Sequence, residues 1–285
     1  MSGRLGILGV GLVDPDTPLV RADDRGVLLG DGCFDSVRVR PDGEPVGLDA
    51  HLARFARSAA ALDLPCDQAA WHGLVATVLA GWTGRTGWTG WTGRTGEAAL
   101  RLTLTRGPEG GTPTAYATLT PVPPHRLRQR TAGVTAITLT RPAADPAAAW
   151  LLPGVKTTSY AVATAALRHA ARAGADEVVF VDPGGQVLEG PTASLVWLTA
   201  GTLRTPPPDE LGLLRSVTVE RLFAAAAEHG LGAEERRGTP ADLHAADGAW
   251  LVSAVRLAAP ITALDGKPLR SDPAATAAVL AAAGL

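Results

Sequence analysis

Apolar and polar positions alternate along this chain with two periods. Leu52, Phe55, Ala59 and Leu62 recur at helical spacing, which predicts a helix over 50–62 with one face in a core and Asp49 as its N-cap. A second helix is predicted over 67–80. Ala99-Leu100-Arg101-Leu102-Thr103-Leu104-Thr105 alternates with period two and predicts a strand closed by Arg106-Gly107, with 116–120 as its partner. Residues 1–48 read as β-rich: Val27-Leu28-Leu29 leads into Gly30-Asp31-Gly32, and 33–39 alternates as a strand. Pro121-Val122-Pro123-Pro124 breaks the pattern, which places a linker at 121–132 between a domain over 1–125 and another over 133–285.

Beyond the break, 133–140 reads as a strand and 142–153 as a loop leading to Lys156. Ala163, Ala166, Leu167 and Ala170 form a small-residue helix face that Gly174 ends. Strands follow at Glu177-Val178-Val179-Phe180-Val181 and Leu195-Val196-Trp197, with a turn at 182–185 and Glu189 between them. Ser216 is the expected N-cap of a helix running to about Glu228, with the amides of Val217 and Thr218 at its open end. Such an end is a ready anion site. Thr239-Pro240 starts a short helix, 249–256 is a buried strand and its exit, and Asp272-Pro273 starts the final helix.

Composition narrows the function. The 285 residues suffice for two domains. A formal charge of −2 gives no electrostatic case for nucleic acid. Cys33 and Cys66 are too few for a disulfide framework and suit a reducing cytoplasm. No apolar run reaches membrane-spanning length, the opening segment does not read as a signal peptide, and no metal site is expected. The tandem Trp-Thr-Gly repeat over 82–96 reads as a glycine-rich exposed loop rather than a base-stacking platform.

One scarcity points to chemistry. Among 26 basic residues only Lys156 and Lys267 are lysines. Lys267 lies in the turn Asp265-Gly266-Lys267-Pro268, whereas Lys156 precedes a helix, where its charge opposes the dipole. Arginine cannot replace lysine where an amine must act as a nucleophile.

Gly154-Val155-Lys156-Thr157-Thr158-Ser159-Tyr160, Ala175-Asp176-Glu177-Val178 and Glu189-Gly190-Pro191-Thr192-Ala193-Ser194 together resemble the class IV (fold type IV) pyridoxal-phosphate enzymes. These include branched-chain aminotransferases, D-amino-acid aminotransferases and aminodeoxychorismate lyases. Asp24-Arg25-Gly26, Gly30-Asp31-Gly32-Cys33-Phe34, His51-Leu52-Ala53-Arg54-Phe55 and Leu203-Arg204-Thr205-Pro206-Pro207 extend the likeness over nearly the whole chain. The resemblance implies a mixed α/β fold, with a smaller N-terminal domain, a larger C-terminal domain and pyridoxal 5'-phosphate in the cleft between them. It also implies a homodimer.

By the same resemblance Lys156 forms the Schiff base and moves the proton, and Glu189 faces the pyridine nitrogen. Arg54, Val217, Thr218, Ser253 and Ala254 hold the phosphate, Tyr160 lies near the cofactor, and Phe34 and Arg106 face substrate. Gly30–Phe34 and Leu104-Thr105-Arg106-Gly107 are the more lyase-like motifs. They favour conversion of 4-amino-4-deoxychorismate to 4-aminobenzoate and pyruvate over transamination of branched-chain or D-amino acids. Ser194, Val196, Arg215-Ser216 and Val219 depart from the usual pattern. Ser194 and Val219 leave open an inactive relative serving as an interaction module.

Overall fold

The computed structural model describes residues 3–82 and 96–284. The repeat therefore lies almost entirely outside the described residues. Two compact units are present: Met1–Pro124 with Val155–Ser159, and His125–Gly154 with Tyr160–Leu285.

The first unit is built on one antiparallel sheet. Its strands are β1 (Arg4–Ile7), β2 (Gly11–Val13), β3 (Gly32–Val39), β4 (Ala98–Thr105) and β5 (Thr114–Pro121), in the order β2-β1-β5-β4-β3. Leu100, Leu102 and Leu104 of β4 face inward, as their alternation predicts. The helices Leu48–Ala61 and Gln68–Leu79 pack there, and Phe55 meets Trp71 edge to face with centroids 4.9 Å apart. Asp67 caps the second helix through the Ala69 and Ala70 amides.

The local structure differs from expectation in two places here. Val27 and Leu28 belong to a short helix, Arg25–Leu28, which Asp24 caps, and they are solvent-exposed instead of paired in a sheet. The Leu48–Ala61 helix is entered through Gly47 in the left-handed conformation (φ 66°), so Asp49 lies in its first turn and is not the cap. A residue without Cβ adopts that conformation cheaply and makes the sharp entry possible.

The second unit holds the larger sheet. It comprises β6 (Val134–Thr140), β7 (Glu177–Val181), β8 (Ser194–Thr199), β9 (Thr202–Thr205), β10 (Gly232–Glu235), β11 (Gly248–Ser253), β12 (Leu257–Leu264) and β13 (Lys267–Pro268). The order is β10-β9-β8-β11-β12-β6-β7, with β13 paired to β12. β7 pairs parallel with β6, and β6 parallel with β12. The crossover from β6 to β7 carries the helix Ala161–Arg172, whose small face buries Ala166 and Ala170. Val196 and Val219 both lie in the apolar cluster with Leu222, Trp250 and Val252. Packing explains why each is aliphatic.

The residues expected as a linker are largely helical: Pro124–Ala132 forms a helix, which a proline in the first turn permits. The helix after Ser216 is α-helical over Val217–Ala225 and tightens to a 3-10 turn over Ala226–His229. Thr239 and Asp242 form a reciprocal capping box.

Candidate active site

In the first unit, Val155–Ser159 lies along the beginning of β3. The Phe34 amide donates to the Lys156 carbonyl at 3.1 Å, and the Thr158 amide donates to the Gly32 carbonyl at 2.8 Å. The Thr158 and Ser159 hydroxyls both donate to the Gly30 carbonyl, at 2.9 and 3.0 Å. The Lys156 amide donates to Ser58 Oγ at 3.1 Å. These bonds tie the lysine motif to the glycine-rich motif more than a hundred residues earlier. Gly30 has φ 70°, and a Cβ there would meet Ser159 Oγ at 2.3 Å, so any other residue would be strained and would displace that hydroxyl.

The half-buried Lys156 side chain places Nζ 4.3 Å from the centroid of the Phe34 ring. The Arg101 guanidinium carbon lies 3.5 Å from the same centroid. Two cations thus share one aromatic ring. Nothing in the sequence alone singles out Arg101. Its one signal was its place among the polar positions of an alternating strand.

Arg106 donates from Nε to Asp31 Oδ2 at 2.6 Å and from Nη2 to the Leu62 carbonyl. A substrate carboxylate at Arg106 would have to compete with both. Arg54 is buried, donating from Nε to Asp35 Oδ2 and from Nη2 to Asp35 Oδ1, each at 2.8 Å. His51 Nδ1 lies 2.8 Å from Asp35 Oδ1. Burial alone would raise the Asp35 pKa, but Arg54 and His51 more than offset it and hold the carboxyl well below the ordinary carboxylate range.

In the second unit, Glu189 lies between β7 and β8, and Arg141 Nη2 donates to its Oε1 at 2.9 Å. The Arg141 guanidinium also rests over the Phe180 ring, 4.8 Å from the centroid. A recess of about 430 Å³, its open mouth included, is lined by Glu189, Ser194, Leu195, Thr205, Leu214 and Ser216, among others. Ser216 Oγ accepts from the Val219 amide at 3.3 Å, and Val217 and Thr218 form the first turn of the helix. Ser253 ends β11 and Ala254 opens the turn to β12; both are half-buried. Half-buried Tyr160 stands at the N-cap of the Ala161–Arg172 helix, where its carbonyl accepts from the Thr164 amide.

Each unit, taken by itself, carries groups of a kind that suits pyridoxal phosphate. The first unit offers a primary amine against a ring and a buried arginine. The second offers an arginine-held carboxylate and the N-terminal turn of a nine-residue helix, where amides lack intrahelical partners. Among the described residues no group of His, Cys, Asp or Glu side chains could hold a metal ion, and no helix is long and apolar enough to cross a membrane.

The amino-transferase class IV family model matches residues 32–264. A bifunctional aminodeoxychorismate lyase / D-amino acid transaminase from Mycobacterium tuberculosis is 42% identical over 276 residues, covering 93% of this chain and 92% of the relative. The PLP-bound form of a hypothetical aminotransferase from Mycobacterium tuberculosis superposes with a TM-score of 0.89 at 40% identity, over 99% of this chain and 98% of that one. A fold IV transaminase from Curtobacterium pusillum gives a TM-score of 0.89 at 39% identity, over 99% and 97%.

Proposed function

The chain belongs to the class IV aminotransferases and is a pyridoxal-phosphate enzyme; from that premise we propose that it cleaves 4-amino-4-deoxychorismate to 4-aminobenzoate and pyruvate. The observation that carries this reading is the near-full-length likeness, at 42% identity, to a relative whose name includes aminodeoxychorismate lyase. Because the family is one of enzymes, Val219 is read as a core residue and not as the mark of an inactive module.

Bound pyridoxal phosphate supplies the electron sink for the bond broken at the amino-bearing carbon. Lys156 supplies the amine that holds the cofactor and then carries the proton. Glu189 faces the pyridine nitrogen, oriented by Arg141. Arg54, steadied by Asp35, grips phosphate with the amides of Val217 and Thr218 and the turn at Ser253 and Ala254. Tyr160 lies near the cofactor. Phe34 is the platform for Lys156, and Arg101 joins Arg106 as a candidate for a substrate carboxylate.

Transamination of D-amino acids is the second reading, because the same relative carries that activity in its name. Pyruvate release from 4-amino-4-deoxychorismate without a keto-acid acceptor supports the lyase. Amino exchange between D-alanine and 2-oxoglutarate without such release overturns it in favour of the transaminase. The reading extends to a cytoplasmic homodimer, with Val27, Leu28 and Leu29, each more than 60% exposed, as apolar surface for a second copy. Sedimentation as a monomer at micromolar concentration would remove that part.

A further inference from the structure

In the second unit, β11 and β12 pair up to Ser253 and Leu257, so residues 254–256 make the whole turn between them. Leu257 has φ 61°, a left-handed conformation that strains a non-glycine residue and persists only where its surroundings hold it there. Two buried arginines impose it. Arg130 donates from Nε to the Arg256 carbonyl at 3.0 Å and from Nη2 to the Val255 carbonyl at 2.8 Å. The Arg256 side chain is 2% exposed and runs inward. Its Nη1 donates to Glu177 Oε1 at 2.6 Å, and its Nη2 lies 3.5 Å from Thr192 Oγ1. Arg126 reaches the same Glu177 oxygen at 3.3 Å.

Glu177 opens β7, and Thr192 stands in the bridge-closed turn that follows Glu189. A single guanidinium therefore links the 253–257 turn to the root of one strand and to the segment carrying Glu189. Stability alone does not explain this pair. A buried ion pair is often no better than packed apolar groups. Here Glu177 Oε2 and Arg256 Nε are also buried with no hydrogen-bond partner among the described residues. What the pair does supply is direction.

We propose that Arg256 is a positioning residue: anchored on Glu177 and Thr192, it fixes the 253–257 turn in the orientation that receives the cofactor's phosphate. This rests on the reading that Ser253 and Ala254 contact that phosphate. It predicts a defect specific to the phosphate and not to the ring.

The test compares pyridoxal phosphate with pyridoxal, which lacks the phosphate, by titrating each into the apoprotein and following absorbance. In the double variant Arg256→Met/Glu177→Gln no buried charge of the pair is left orphaned. Its affinity for pyridoxal phosphate falls by roughly tenfold or more, the scale on which ligand-orienting groups act, while pyridoxal binding is unchanged. Arg256→Lys keeps a charge beside Glu177 but loses the fork, and it shows the same selective loss if the double variant does not fold. Equal losses for both aldehydes, or no loss in either variant, overturn the proposal.

Ser253→Asp separates this idea from the reading beneath it. If that added charge leaves the ratio of the two affinities unchanged, the phosphate reading fails and takes the proposal with it. If it shifts the ratio and the Arg256 variants do not, only the role of Arg256 fails.

Discussion

At position 156 an amine rests against an aromatic ring that also carries an arginine. Lys156→Arg preserves the cation–π contact and removes the nucleophile. Turnover is expected to fall by roughly 10²–10⁴-fold or more, with folding intact, as measured by product release beside a thermal melt. Asp35 gives a prediction with a pH sign. Its folded pKa is depressed, so its contribution is complete above the unfolded value of about 3.9 and is lost as pH falls through the lower folded value. Asp35→Asn leaves Arg54 buried without its carboxylate and should cost about 3–5 kcal/mol. Denaturant titrations should show that gap constant from neutral pH to about 4, closing only in stronger acid. Cys33 is fully buried, and burial, aided by Cys66 and Asp35, pushes its thiol up to about 12. Alkylation at neutral pH should therefore label half-buried Cys66 in the native protein and reach Cys33 only in denaturant.

Among the elements, the segment at Val155–Ser159 depends on a glycine far away in sequence. Gly30→Ala adds a Cβ that collides with Ser159 Oγ and forces a left-handed φ on alanine. We expect about 1–3 kcal/mol of destabilisation. Gly30→Ala/Ser159→Ala should recover part of it in urea unfolding, because the clash is relieved and the backbone strain is not.

Local periodicity showed the strands of Leu100, Leu102 and Leu104 and of Val178 to Val181, and the caps at Ser216, Thr239 and Asp272 were visible as single residues. Three features escaped it for physical reasons. The helix at Arg25–Leu28 was masked because its apolar residues face solvent. The Gly47 entry competed with a plausible Asp49 cap two residues later. Asp35, which Arg54 grips, and Ser58 and Phe34, which meet Lys156, lie 19 residues and more away along the chain, and no pattern along the chain encodes such pairings.

For the molecule as a whole, cofactor occupancy and stability are linked, since a ligand that binds only the folded form stabilises it. Pyridoxal phosphate at a hundred times its dissociation constant should add about 2.7 kcal/mol to unfolding, and its removal should lower the melting temperature. A sample whose melting temperature is indifferent to the cofactor would contradict the assignment of a tight site. The first unit has a further property that follows from its membership. Its last five residues are Val155–Ser159, separated from Pro124 by a stretch that belongs to the second unit. A nascent polypeptide leaving the ribosome cannot finish its amino-terminal body when that body's main run of sequence has emerged. The Phe34 amide and the Gly30 and Gly32 carbonyls must wait for Lys156, Thr158 and Ser159 to be synthesised. The amine thus arrives as the closing piece of the first body, and a truncated product ending near residue 124 would lack both its chemistry and the bonds that complete β3.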